Sequence, residues 1–365
     1  MEARLACTLF VCLFVILYLY PVAWGPKGHG SGLAERLLSI EQLPLPKRAT
    51  AERRTIRPGT SISPLAHGET KGTAGIYLRA QEAPDVHYIL TAAHVLTPEA
   101  FPTNLHNPFE ESVKNIPKTE IASHGKLDTL ALLSNCVNVG GDAFDEQIAQ
   151  NFVSLYRAGV GRSVTGRIGV DEQGWREDWA LIELDKPWET TNGQWWDEGM
   201  LRLIVRSLGA TDQFQPVFTS CEDPTANGLT WIKDGATTAL TTGTCSGEAV
   251  ELFLQGTALP VDQMSIEAGD VHPANPVSAK LLVFLQTGSV AFAAGGDSGS
   301  AVITLSADLQ SLVFGGMVTS RFTPQFRGMD TMVLVAPQSA IFQQIKRNTS
   351  LNFEPSPSPP PHAHE

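Results

Sequence analysis

Cysteine is too scarce in this chain to build a disulfide framework. Of five, Cys7 and Cys12 fall in the first 25 residues, leaving Cys136, Cys221 and Cys245. Three cannot all pair within one chain, and their spacing fits no zinc motif. A Cys221–Cys245 bridge and a reduced trio both remain open. No H-E-x-x-H string occurs, which removes the common helix-borne zinc hydrolase site. Basic residues are also few: 26 Lys and Arg stand against 38 Asp and Glu, a formal charge of -12. With no basic patch to offset it, such a surface repels nucleic acid and anionic membranes. No internal repeat is visible.

What is present suffices for a substantial core. The chain has 365 residues, 42% hydrophobic and 18% charged, enough for two compact units or one of about 200–250 residues with extensions. Residues 1–25 run from one Arg through an apolar stretch, Leu5 to Tyr20, to Pro21 and the small residues Ala23 and Gly25. That is the pattern of a secretory signal peptide, with an uncleaved membrane anchor as the alternative. Cleavage predicts a secreted protein without stable membrane association. Residues 26–57, rich in Gly, Pro, Arg and Lys, read as a propeptide or flexible lead.

From residue 58 onward, short β-prone runs recur: VHYILTA, RSVTGRIGV, DWALIEL, LRLIVRS, VELFLQG, KLLVFLQ, SAVITL, SLVFGGMVT and TMVLVAP. Gly, Pro, Asn and Asp separate many of them, the pattern of an all-β sandwich or barrel. Two segments break it. Phe144, Ile148, Phe152 and Leu155 share one helical face within an insertion of about 99–160. PQSAIFQQIKR predicts a closing helix, with Pro337 suited to its start and Lys346 and Arg347 to its end. Residues 348–365 read as a disordered proline-rich tail. Asn348-Thr349-Ser350 is a sequon for glycosylation in a secreting eukaryotic host.

Three strings carry chemistry. YILTAAHVL puts His94 just after an apolar strand, REDWALIELD puts Asp178 at the start of a buried one, and AFAAGGDSGSAV (291–302) sets Ser298 among glycines. Each has a bland reading alone: a structural histidine, a capping acid, a turn. Together they provide a base, a carboxylate to orient it, and a nucleophile, with Gly296 and Ser298 N–H groups available to an oxyanion.

TAAHVL and GDSGS resemble the histidine and serine boxes of trypsin-like, chymotrypsin-fold serine peptidases, in that family's His, Asp, Ser order. WIKDGATTALTTGTCSG (231–247) resembles a stretch of a fungal branch, with Ala239 where that pattern usually has Gly. The resemblance spans about residues 58–345. It implies two six-stranded antiparallel β-barrels, an N-terminal one over 58–205 and a C-terminal one with closing helix over 206–347, and a site in the cleft between them. It further implies His94 as general base and acid, Asp178 as its orienting carboxylate, Ser298 as nucleophile, and Gly296 and Ser298 as oxyanion donors. The expected activity is endopeptidase hydrolysis of protein or peptide substrates through an acyl-enzyme, with no cofactor or metal. An α/β-hydrolase fits less well, since GDSGS lacks the second glycine of G-x-S-x-G and the histidine comes first. An idle barrel pair used for binding, or an esterase on the same triad, are the alternatives.

Asp128, in KLDTLALLSN, competes with Asp178 for the orienting role; the glycine-bearing strand TGRIGV before Asp178 favours the latter. For substrate preference, the family's acid for basic side chains would lie six residues before the nucleophile, where Phe292 stands, so specificity for Lys or Arg is disfavoured. Thr319, Ser320 and Arg321 lie near the expected pocket wall. Arg321 could attract an acidic side chain or simply stand in solvent. The lead contains no Ile-Val-Gly-Gly to supply an activating amino terminus to Asp297. Asp297 is therefore expected to find its donors within the fold, because a buried carboxylate left unpaired costs several kcal/mol.

Overall fold

Pairing in the computed structural model, which describes residues 55–65, 71–97, 120–123, 159–185, 189–190, 198–211, 213–225, 228–254, 277–287, 290–322 and 331–356, resolves the β-prone runs into two closed systems. The described residues all belong to one unit, Leu45–Glu365. Its first half comprises β1 (Thr55–Ile56), β2 (Ser61–Pro64), β3 (Gly72–Thr73), β4 (Tyr77–Ala80), β5 (Ala83–Thr91), the single turn α1 (Ala93–Leu96), β6 (Glu120–Ser123), β7 (Gly161–Val170), β8 (Arg176–Leu184) and β9 (Glu189–Thr190). A linking helix, α2 (Glu198–Ser207), leads to the second half. This holds β10 (Phe218–Cys221), β11 (Thr230–Gly235), β12 (Ala239–Leu254), β13 (Val277–Gln286), β14 (Ala301–Leu305), β15 (Leu312–Phe322), β16 (Met332–Pro337), α3 (Gln338–Thr349) and β17 (Phe353–Pro355).

The first sheet runs β17-β4-β5-β8-β7-β6-β2-β3. It closes because β3 and β4 are two ends of one run: Thr73 pairs with Ser61 at one end, while Tyr77 pairs with Ile89 at the other. Between them, Ala74 N–H donates to Thr60 and Gly75 N–H to Leu90. The second sheet runs β10-β15-β14-β11-β12-β13-β16, and a further β15–β16 pairing closes β11 to β16 into a six-stranded antiparallel barrel, with β10 parallel outside it. Two antiparallel barrels followed by a C-terminal helix make this an all-β, chymotrypsin-like fold. Closure satisfies the edge N–H and C=O groups that an open sheet would expose.

The central strand β8 shows why the sequence takes this form. Trp179, Ala180, Leu181 and Ile182 are all fully buried, since β8 lies between β5 and β7 and both its faces are covered. The second barrel's core is aromatic: Phe284 stacks on Phe292 with centroids 5.6 Å apart and meets Trp231 edge-on at 6.2 Å. α3 starts after Pro337 and ends at left-handed Ser350, whose N–H donates to Lys346.

Three expectations need correction. LRLIVRS is helix, not strand: in α2, Leu201 and Val205 are buried four residues apart, so the spacing is helical and its short apolar run resembled a strand only in composition. The lead does not stay outside the fold to residue 57, since Thr55 and Ile56 pair in parallel with Glu189 and Thr190. Nor is the tail wholly irregular: β17 adds to the β4 edge, with Phe353 edge-on to Tyr88 at 5.3 Å and Glu354 bound by Arg79 at 2.6 Å. Averaging over the prolines hid Leu351 and Phe353, and Pro355 is tolerated because β17 is an edge strand. The helical face of Phe144, Ile148, Phe152 and Leu155 lies outside the described residues, as do Asp128, Cys136 and residues 1–25. Cys221 and Cys245 are free.

Candidate active site

β5 ends in TAAHVL because the chain must turn inward there without bulk. Ala92 and Ala93 are wholly buried, Val95 and Leu96 nearly so, and Thr97 Oγ1 closes the turn α1 onto Ala93 O at 3.2 Å. That leaves His94 as the residue of α1 that reaches the surface, its side chain 23% exposed. Its ring Nδ1 lies 2.8 Å from Asp178 Oδ2, and its backbone N–H donates to Asp178 Oδ1 at 3.0 Å. This double attachment fixes both ring position and tautomer: Nδ1 carries the proton, and Nε2 faces away as an acceptor. Asp178 is buried, which by itself would raise its carboxyl; His94, through its charge and hydrogen bonds, and Arg176 outweigh this and hold it below the usual carboxylate range.

Ser298 comes from the turn between β13 and β14, which lies against the same corner of the first barrel. Thr73 N–H donates to Ser298 O at 2.8 Å. Gly299 adopts φ +95, and a Cβ there would lie 2.4 Å from both Thr73 O and Thr91 Oγ1 and 3.1 Å from Ala92 N. Only glycine permits this approach, which sets the serine turn on the end of β5, at Thr91 and Ala92, just before His94. The Ser298 hydroxyl donates to Thr319 O at 3.3 Å.

Around Ser298 the backbone donors divide by position. Asp297 N–H donates to Ala294, Gly299 N–H to Val318, and Ser300 N–H back to Asp297. The N–H groups of Gly296 and Ser298 have no hydrogen-bond partner among the described residues. Such orphans are rare in a folded turn, and here they flank one residue and adjoin one hydroxyl. They are suited to hold an anion.

Asp297, wholly buried, is satisfied from within. Lys233 Nζ, equally buried, lies 3.2 Å from its Oδ2. Thr237 and Thr238 donate backbone N–H groups to Oδ1 at 2.8 and 3.2 Å. Thr238 Oγ1 and Ala294 N–H reach Oδ2 at 2.7 and 2.9 Å. Burial lowers the Lys233 ammonium from its ordinary range, against the opposing pull of Asp297. Lys233 comes from β11, and the two threonines from the turn that joins it to β12. The KDGATT string was visible in the sequence, and the need of Asp297 for donors was the signal that could have connected the two.

The four wall candidates separate. Phe292 is 1% exposed and stacked in the second barrel's core, so its ring lines no open cleft. Thr319 turns its hydroxyl inward to Leu334 O at 3.1 Å and presents its carbonyl to Ser298. Ser320 is half-buried and Arg321 exposed on the following stretch of β15. Among the described residues no group of His, Cys, Asp and Glu could hold a metal ion.

No protein family and no curated protein matches this chain by sequence. Among solved structures it is similar to Thermobifida fusca Protease A, at 12% identity over 82% of this chain and 99% of that one, with a TM-score of 0.41. A glutamic acid specific serine protease, described as using a histidine triad in substrate binding, aligns at 13% identity over 82% and 100%, TM-score 0.41. Cellulomonas bogoriensis chymotrypsin aligns at 10% identity over 82% and 99%, TM-score 0.39. Likeness at this level carries no functional weight; the fold rests on the strand pairing and the site on its own geometry.

Proposed function

We propose that this chain is a secreted serine endopeptidase of the trypsin-like type, resembling a fungal branch of that superfamily in residues 231–247. The observation that carries the reading is the pair of N–H groups at Gly296 and Ser298 without partners among the described residues, beside a hydroxyl whose turn packs against the strand end that leads into an Asp-oriented histidine. In the proposed reaction the Ser298 hydroxyl rotates from Thr319 O toward His94, a change between staggered χ1 wells. Its oxygen attacks the scissile carbonyl carbon as His94 Nε2 takes the proton. The carbonyl oxygen becomes an oxyanion held by the Gly296 and Ser298 N–H groups. His94 then protonates the departing amine, leaving an acyl-serine, and later takes a proton from the water that hydrolyses it. Asp178 stabilises the imidazolium throughout.

With a buried Phe292 at the position of the specificity acid, Lys or Arg side chains would find no counter-ion there; Thr319, Ser320 and Arg321 remain the proposed wall. Secretion is inferred from residues 1–25. No described helix is long and apolar enough to cross a membrane.

Hydrolysis of a casein-type substrate tests the reading. Ser298→Ala should lower the rate on the order of 10⁴–10⁶-fold with the thermal midpoint unchanged. Turnover equal to wild type in the purified variant would end it. Hydrolysis of small esters without casein would leave an esterase.

A further inference from the structure

One peptide unit in the serine turn has unusual freedom and a single visible restraint. The bond between Gly295 and Gly296 is flanked by residues without a Cβ, and a Cβ at Gly295 would meet nothing within 4 Å. Such a unit can rotate between opposed orientations with little steric cost. In a trans peptide C=O and N–H point in opposite directions. One orientation therefore aims the Gly296 N–H at the place of the oxyanion, and the other puts the Gly295 carbonyl, a negative dipole end, there instead.

Thr237 touches one end of this unit. Its Oγ1 donates to Gly295 O at 2.7 Å, drawing the carbonyl toward the β11–β12 turn and leaving the N–H facing the other way, without a partner among the described residues. The next unit is fixed separately, by Thr73 Oγ1 donating to Gly296 O at 2.8 Å. Thr237 is itself held through its backbone N–H by Asp297 Oδ1, the carboxylate paired with Lys233. Because Thr237 and Gly295 are both exposed, water could satisfy either group, so burial does not explain their contact.

We propose that Thr237 is a positioning residue whose hydroxyl latches the Gly295–Gly296 peptide in the orientation that donates to the oxyanion. The latch rests on the peptidase reading and adds to it a residue that touches neither substrate nor nucleophile. Its effect should appear in the transition state, where the oxyanion carries charge, and little in ground-state binding. A hydrogen bond of this kind contributes roughly 0.5–1.5 kcal/mol net, so its loss should reduce kcat about two- to thirteenfold.

The test uses the full chain as wild type, Thr237→Val and Thr237→Ser on one peptide substrate. The expected result is a kcat loss of about two- to thirteenfold in Thr237→Val, KM unchanged, and recovery in Thr237→Ser. A peptide aldehyde, whose hemiacetal oxygen occupies the hole, should bind Thr237→Val more weakly by the same factor. Thermal midpoints should agree among all three. Wild-type activity with Thr237→Val equal to it overturns the latch alone, as does an equal loss in Thr237→Ser. An inert wild-type chain overturns the peptidase reading and the latch with it.

Discussion

Asp178 receives two hydrogen bonds from one residue, the ring and the backbone N–H of His94. Replacing it with Asn should keep the space filled but present an amide N–H₂ to Nδ1, favouring the wrong tautomer. We expect Asp178→Asn to lower kcat by roughly 10⁴ near neutral pH. The same substitution carries a stability signature. Folding holds this carboxyl below its usual range, so its contribution is complete above the ordinary carboxylate pKa and is lost as pH falls through the lowered folded value. A plot of thermal midpoint against pH should therefore have a flatter acid arm in Asp178→Asn than in wild type. His94, Asp178 and Ser298 were legible in the sequence because each sits in a short string whose apolar or glycine neighbours serve the geometry directly. Lys233 was not, since nothing local marks a lysine in a β-strand as wholly buried; its partner lies 64 residues on in Asp297.

At the scale of elements, the turn joining β11 to β12 governs the site. It reaches Asp297 with two backbone N–H groups and a hydroxyl, and it runs into Ala239, the first residue of β12, at φ +53. A left-handed alanine costs about 1–2 kcal/mol relative to glycine, offset by roughly 0.5–1 kcal/mol for the greater freedom of glycine in the unfolded chain. Ala239→Gly should accordingly raise stability by up to about 1.5 kcal/mol, measured by denaturant midpoint, while kcat stays within twofold. A clear loss of stability would mean that the turn relies on the methyl group. The β-strands were legible where alternation or a continuous apolar run was long, as in β8 and β16. α2 was not, because LRLIVRS is too short for composition to separate periods of 2 and 3.6. β17 was missed for a different reason: its partner, β4, lies more than 270 residues earlier, and no local pattern announces an edge strand that docks at such distance.

For the whole molecule, the proposed reading requires that the folded chain assemble an active serine by itself, with Lys233 as the cation beside Asp297 where an activated trypsin-like zymogen uses a new amino terminus. The acidic surface and the two closed barrels are compatible with many functions, so neither decides the matter. A chain beginning at Pro26 and one beginning at residue 55, each incubated with a fluorophosphonate and mapped by peptide mass, put the claim to the most direct test. The expected result is one adduct per chain, on Ser298, at equal rates in both and absent after denaturation. No adduct on Ser298 in either chain would contradict it, and labelling confined to the shorter chain would show that the lead, not the β11–β12 turn, controls the oxyanion hole.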